Sequence, residues 1–343
     1  MKRIAHQVFA GLAFCGLLGM ILTSLAVGEY WTDRPEMLTV RANFGSVLID
    51  GKIYVFGGIA EAGARSESIE SYDLATKTWT KENIMVRARW GLTTSAVDGK
   101  IYGIGGLRAT YVDIYSIVQI YDPVTKKWSS GEDMPTPRHE FSSSMVDGKI
   151  YAIGGLIGGA DGYEATSILE IYDPVTDTWI EKDNMPTDRY DLSTSVVDGK
   201  IYAIGGIVTD GEMPLATVEM YDPVTDRWTH KADMMTPRYG LGTSVADGKI
   251  YAIGGYTIGG VPLATVEMYD PRLDAWEEMR SMPTARGDLS TIVVDGRIYA
   301  LGGVGIEGEA LATMEEYTPE GWPFAVHPGD KLAATWGEVK KSR

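Results

Sequence analysis

Apolar and polar positions along this 343-residue chain fall into one pattern that recurs six times. In residues 196–206, VVDGKIYAIGG, an apolar run meets a polar Asp-Gly-Lys interruption, then a second apolar run and a closing pair of glycines. The Asp198-Gly199 pair predicts a two-residue hairpin, because a type I′ turn needs positive φ at both central positions. Residues 201–204 are apolar at successive positions instead of alternating, which predicts a strand covered on both faces. The glycine pair lets the backbone bend out of the strand or pass close to a neighbour that a Cβ would strike.

The other copies close at Gly58, Gly106, Gly155, Gly255 and Gly303. After each comes a loop, then a strand, a turn and a second strand opened by tryptophan, as in TVEMYDPVTDRW ending at Trp228. An arginine lies ten residues past each such tryptophan, and the turn aspartate nine past the arginine. The diglycines begin at Gly57, Gly105, Gly154, Gly205, Gly254 and Gly302, at intervals of 48, 49, 51, 49 and 48 residues. Four short strands in each such period are the signature of a propeller blade.

The order arginine, apolar hairpin with Gly-Gly, Tyr-Asp and Trp resembles the kelch repeat over residues 31–318. The resemblance implies an all-β fold, a six-bladed β-propeller of kelch repeats with its blades around a central channel. For function it implies less, since this architecture serves enzymes, glycan binders and protein adaptors alike.

The N-terminal segment extends the pattern. Trp31 stands ten residues before Arg41, as Trp79 stands before Arg89, so residues 29–40 supply an outer strand without a blade of their own. Six outer strands then serve six hairpins, and the ring is predicted to be closed by its N-terminal outer strand. Trp322, after Pro319 and Gly321, offers a rival for that place. Residues 29–322 are the propeller. Upstream, Lys2 and Arg3 precede an apolar run that ends in small residues at 24–26, the layout of a signal peptide over 1–26 or, if uncleaved, of a membrane anchor. Residues 323–343 form a C-terminal tail outside the repeat.

Composition narrows the chemistry. Cys15 is the single cysteine and falls in the leader, which excludes disulfides and thiol catalysis from the cleaved product. Export without disulfides points to a periplasm, cell envelope or secreted location. The net charge of −16 becomes −18 when residues 1–26, with two basic and no acidic residues, are removed. Nucleic acid is therefore excluded as a partner, and membrane enters only through an uncleaved leader. The mature chain is read as a monomer.

The six recurrent arginines, one per blade at fixed spacing, are read as scaffold. Function is expected where the repeats differ. The small positions Gly45, Thr93, Ser142, Ser193, Gly242 and Ser290 are predicted to line the channel. Two residues earlier, on the same strand face by alternation, stand Asn43, Gly91, Glu140, Asp191, Gly240 and Asp288. Three carboxylates, Glu140, Asp191 and Asp288, are thereby predicted to converge on the channel mouth. Trp90, His139, Tyr190 and Tyr239 adjoin them as ligand-binding candidates. The loops after Gly-Gly add Arg65, Arg108, Tyr111, Asp113, Tyr115, Asp161, Tyr163, Glu164, Asp210, Glu212, Tyr256, Glu307 and Glu309. Aromatic faces beside carboxylates suit sugars or cationic groups.

No metal or other cofactor is expected. Only four histidines exist, and copper oxidases of this repeat class need histidine ligands and a cysteine-linked tyrosine that the chain lacks. The three carboxylates are donors that calcium accepts, but no calcium-loop spacing accompanies them. Two readings of function follow. One is a non-enzymatic protein- or glycan-binding module working through its loop-rich face. The other is a carbohydrate-active enzyme resembling the periplasmic sialic acid mutarotase, with Glu140, Asp191 and Asp288 as acid and base candidates.

Overall fold

The computed structural model describes residues 29–108, 113–159, 162–209 and 213–322. The expected leader and tail lie outside these residues. Six four-stranded antiparallel sheets stand around an axis, their strands following chain order in the first five; two-stranded hairpins, Leu156–Gly159 with Gly162–Ala165 and Tyr256–Thr257 with Val261–Pro262, are inserted after the second strand of the third and fifth blades. The fourth blade is representative: Ser193–Val197 innermost, then Lys200–Ile204, Val218–Asp222 and Arg227–Lys231. Among the described residues the only helical turn is Glu61–Gly63.

Each sequence signal has a physical counterpart. Asp198 and Gly199 take φ of 51° and 72°, the pair of left-handed residues that the I′ hairpin demands. Ile201 and Ile204 in the second strand are fully buried, because that strand is sandwiched between its own blade and the two adjacent ones. The core is accordingly a set of inter-blade layers. Tyr151, Ile153 and Leu169 of the third blade pack with Leu192, Ile201 and Tyr221 of the fourth, and the pattern repeats around the ring.

Neighbouring blades are also tied by rings of hydrogen bonds. The N–H of the second glycine of each pair donates to the carbonyl of the next blade's arginine, from Gly58 to Arg89 round to Gly303 and Arg41, at 2.9–3.0 Å. A Cβ on Gly205 would lie 2.5 Å from the Arg238 carbonyl oxygen, so this approach needs glycine. At the periphery each repeat tryptophan donates its indole N–H to a carbonyl of the preceding blade, over 2.8–3.2 Å.

The arginines are scaffold. All six are fully buried. Arg41, Arg138, Arg189, Arg238 and Arg286 each pair with a glutamate on the third strand of their blade, Glu70, Glu170, Glu219, Glu267 and Glu315. They also hydrogen-bond backbone carbonyls, as Arg189 does to Gly205 and Ala203 at 2.9 and 3.2 Å. Arg89 departs from the rule: a glutamine, Gln119, occupies the glutamate's place.

Closure follows the count of outer strands. Tyr30–Arg34 pairs antiparallel with Met314–Thr318 in the sixth blade. Glu29 reproduces, two residues before Trp31, the role of Asp177 two residues before Trp179. It accepts the Tyr317 hydroxyl and the Arg280 N–H, as Asp177 accepts Tyr172 and the Glu132 N–H. Arg34 forks onto Glu316 with two bonds of 2.9 Å. Trp322 is not an outer strand; its ring lies under the Arg297 guanidinium at 4.1 Å, and its N–H donates to the Asp295 carbonyl.

Candidate functional site at the axial mouth

In every blade the buried arginine is followed by a residue in a single β-bridge, a residue with positive φ, an apolar residue and then the inner strand. The left-handed positions are Asn43, Gly91, Glu140, Asp191, Gly240 and Asp288, with φ between 50° and 59°. This corrects the expectation from strand alternation: these residues precede the strands, and a left-handed turn, not the pleat, brings them to the axis. Asn, Asp and Gly tolerate that conformation, whereas Glu140 adopts it at a steric cost on the order of 1 kcal/mol.

The turn has a structural reason. Each left-handed residue donates its N–H to the carbonyl of its counterpart in the preceding blade, and Asn43 donates to Asp288, so six bonds of 2.7–3.1 Å close a circle around the axis. The backbone of this belt is fully engaged, and its side chains are what differ. Together with Phe44, Leu92, Phe141, Leu192, Leu241 and Leu289 they line a cavity of about 90 Å³, which includes all three carboxylates. That volume accommodates several waters or one small polar group. Deeper along the axis, beyond the apolar collar, lies a space of about 180 Å³ lined by the predicted small positions and neighbouring hydroxyls such as Ser143 and Thr194. Those hydroxyls bond between blades, as Ser142 does with Thr194 at 2.8 Å.

The carboxylates sit in an unusual electrostatic setting. Only 10% of the Glu140 side chain is exposed. Burial, with the charge of Asp288 next, pushes its carboxyl up to about 8. Burial and the charges of Glu140 and Asp288 hold Asp191 well above the usual carboxylate range. Burial raises Asp288 to about 6, against the opposing effect of the Tyr256 hydroxyl, which donates to its Oδ2 at 3.1 Å. Its other oxygen, Oδ1, is buried with no hydrogen-bond partner among the described residues.

The aromatic candidates divide into two groups. Trp90 and His139 are buried, at 8% and 2% exposure, and meet edge to face with ring centroids 5.5 Å apart. His139 also meets Tyr163 at 5.2 Å. Neither Trp90 nor His139 is among the residues lining the cavity. Both imidazole nitrogens and the Trp90 indole N–H lack a hydrogen-bond partner among the described residues. His139 Nδ1 lies 3.7 Å from Glu140 Oε2. Burial depresses the His139 pKa to about 4, so the ring is neutral at pH 7. Tyr190 and Tyr239, each the residue before a belt position, are half-buried and are not among the residues lining the cavity.

Arg65 and Arg108 do not line the cavity. Arg65 donates to the Gly63 carbonyl of its own loop, and Arg108 is exposed. Tyr111, Asp161, Asp210 and Glu212 lie outside the described residues. Among the described residues no group of three or more His, Cys, Asp or Glu side chains is placed to hold a metal ion.

Tyr256 is the site residue that the sequence reading placed only among loops. The residue after Gly-Gly is Ile59, Leu107, Leu156, Ile207 and Val304 in the other blades. Tyr256 alone is aromatic, and its ring occupies the space left by Gly287, where a Cβ would lie 2.2 Å from it. The paired departures from the repeat at 256 and 287 were the available signal.

The fold and axial site define the chain as a six-bladed kelch-type propeller. Residues 29–260 match the Attractin/LZTR1 beta-propeller family model, and the chain belongs to that family. A 49-residue stretch is 43% identical to an F-box/kelch-repeat protein of Arabidopsis thaliana, covering 14% of this chain and 18% of that protein. The chain thus matches less than a fifth of that relative's length. The solved structure titled Structure of YjhT is similar in fold, with a TM-score of 0.73 at 16% identity over 82% of this chain and 95% of that one.

Proposed function

We propose that the protein is an exported binding module that takes a protein or glycan ligand on its loop-rich face, centred on the axial mouth. The observation that carries this reading is the left-handed belt. Six equivalent positions are held rigidly by one ring of backbone bonds, yet their side chains run Asn, Gly, Glu, Asp, Gly, Asp. Structural positions in this chain repeat; these do not, and a rigid frame with variable side chains is how a scaffold presents a site. The half-buried Tyr190 and Tyr239, next to the belt in sequence, add apolar area with hydroxyl tips at small entropic cost. Export rests on the composition of residues 1–26.

A second reading, a sugar mutarotase, draws on the raised carboxyls, which can hold and release a proton near neutral pH. Against a sialic acid substrate stand two facts. Its carboxylate would face three acidic groups, and no arginine lines the cavity to hold it. Binding is therefore the better supported function.

The test is a glycan and peptide array probed with the parent and with Tyr190→Ala and Asp191→Asn variants whose melting temperatures match it. A ligand retained by the parent and lost by both variants supports the module. Accelerated anomer exchange of sialic acid seen by NMR, abolished in Glu140→Gln, would instead establish the enzyme.

A further inference from the structure

Resting on the reading of the axial mouth as a binding site, we infer that the group it receives is an alkylammonium, carried by a lysine side chain of a partner protein or by a free polyamine. The argument starts from what the cavity lacks. Glu140, Asp191 and Asp288 reach it from the third, fourth and sixth blades, and no cationic side chain lines it. Two of the remaining three belt positions are glycine. A Cβ at Gly240 would stand 2.7 Å from Asp288 Oδ1, and one at Gly91 would stand 3.2 Å from Glu140 Cγ. Side chains at those positions would crowd the carboxylates that the absent Cβ atoms leave room for.

An independent observation says that the polar groups there are incomplete. Asp288 Oδ1 is buried without a hydrogen-bond partner among the described residues. The His139 side chain, 3% exposed and against Glu140, has neither nitrogen satisfied among them. Buried polar atoms are nearly always bonded in folded proteins, and an unmet one marks a missing water, ion or ligand. An ammonium carries donors and no acceptor, which complements a cavity whose only charged lining groups are carboxyls. Its methylene stem has apolar surface to lie against in Phe44, Phe141 and the four leucines that line the cavity with the carboxyls.

Entry of the cation also settles the charge balance. The groups facing one another at the mouth are the three carboxyls, neutral His139 against Glu140, and the Tyr256 hydroxyl on Asp288. Without a cation Glu140 and Asp191 favour their protonated forms near pH 7, because burial and the neighbouring carboxylates oppose ionisation. An ammonium among them favours ionisation, so binding releases protons to the solvent.

The experiment is calorimetric titration of the full chain with n-butylammonium, with Nα-acetyl-lysine methylamide and with spermidine, using the Nε-acetylated lysine derivative as the neutral control. Saturable binding of the ammonium probes but not of the control is expected, with about one proton released per ligand near pH 7, read from heats in buffers of different ionisation enthalpy. Asp191→Asn and, separately, Asp288→Asn are expected to weaken it about tenfold or more, while Lys127→Ala on the exposed outer strand of the second blade leaves it unchanged. Tighter binding of the lysine amide assigns a partner's side chain, and tighter binding of spermidine assigns a polyamine. Absence of saturable ammonium binding overturns the inference, as does calcium binding at the same carboxylates that excludes ammonium. If a neutral glycan or peptide still binds in a Tyr190-dependent manner, only the inference falls and the binding module stands. If no ligand responds to any mouth variant, both fall.

Discussion

Arg89 allows the stabilising worth of the buried arginine pairs to be measured in both directions. Its guanidinium is fully buried like the other five, but it faces Gln119 where they face glutamate. Its remaining bonds go to the Gly103 carbonyl at 2.8 Å and the Arg87 carbonyl at 3.3 Å. Burial lowers its pKa from 12.5 to about 9. Because the folded value lies below the unfolded one, the cost of keeping Arg89 charged is fully present at pH 7, and it amounts to at most about 5 kcal/mol. Gln119→Glu would place a carboxylate where Glu170 meets Arg138 at 2.9 Å. Attraction across about 3 Å at an effective dielectric of about 20 is roughly 5 kcal/mol, and desolvating the new carboxylate cancels most of it. The expected net gain is about 1–2 kcal/mol. The converse change, Glu170→Gln, is expected to cost about 2–4 kcal/mol, since it strands a buried cation. Urea unfolding at pH 7 reads both as shifts in midpoint at unchanged slope. If Gln119→Glu lowers the midpoint, desolvation outweighs attraction, and the five ion pairs set blade geometry without adding stability.

Four further outcomes follow from the geometry. Trp31→Ala removes the ring packed on Tyr317 at 5.0 Å and the 3.0 Å bond to the Arg280 carbonyl; it is expected to cost about 2–4 kcal/mol. Deleting residues 29–40 should expose the edge of Met314–Thr318 and produce aggregates on size-exclusion chromatography; a deletion that stays monomeric with the parental melting temperature contradicts strand closure. The raised carboxyls of Glu140 and Asp288 mean that the fold binds their protons more tightly than the unfolded chain does. Their contribution is therefore whole below the ordinary carboxylate range and is lost as pH rises through about 6 and about 8. Glu140→Gln should flatten the melting temperature profile between pH 5 and pH 9, and parallel profiles would falsify that assignment. Gly287→Ala should cost roughly 2 kcal/mol by striking the Tyr256 ring, and Tyr256→Val, the aliphatic type found in other blades, should relieve most of it in a double-mutant cycle.

The scaffold was legible because each of its contacts recurs at a fixed offset. Asp-Gly, Gly-Gly, arginine and tryptophan each appear once per blade: the first sets the hairpin, Gly-Gly and tryptophan tie adjacent blades, and arginine joins the strands of its own blade. Even closure was readable, since Trp31 keeps the ten-residue spacing to Arg41. The position of the carboxylates at the mouth was readable too, but its cause was not. Alternation assigned them to the strand, whereas the belt of hydrogen bonds holds them in a left-handed turn. A clue was present, for Asn, Gly and Asp fill five of the six positions and these are the residues that accept positive φ. The exposure of the aromatics was beyond the sequence, because whether Trp90 meets solvent depends on how far the next blade brings His139 toward it.

What separates site from scaffold in this ring is broken symmetry. With six near-identical blades, a substitution at one position is either tolerated noise or the record of a local demand, and isolated changes such as Gln119 do not distinguish the two. Coupled changes do. Tyr256 needs the absence of a side chain at Gly287, and its hydroxyl then reaches Asp288, one of the three carboxyls on the axis. Drift at 256 alone would have driven an aromatic ring into a Cβ, and drift at 287 alone would have opened a void. Both departures serve one contact, and that contact orients a carboxyl whose second oxygen is left without a partner among the described residues. A scaffold needs no such arrangement, because the fourth and fifth blades close the same belt with Asp191 and Gly240 and without a supporting tyrosine. On the binding function proposed above, the fifth-to-sixth blade junction is where loss of ligand should be sought first.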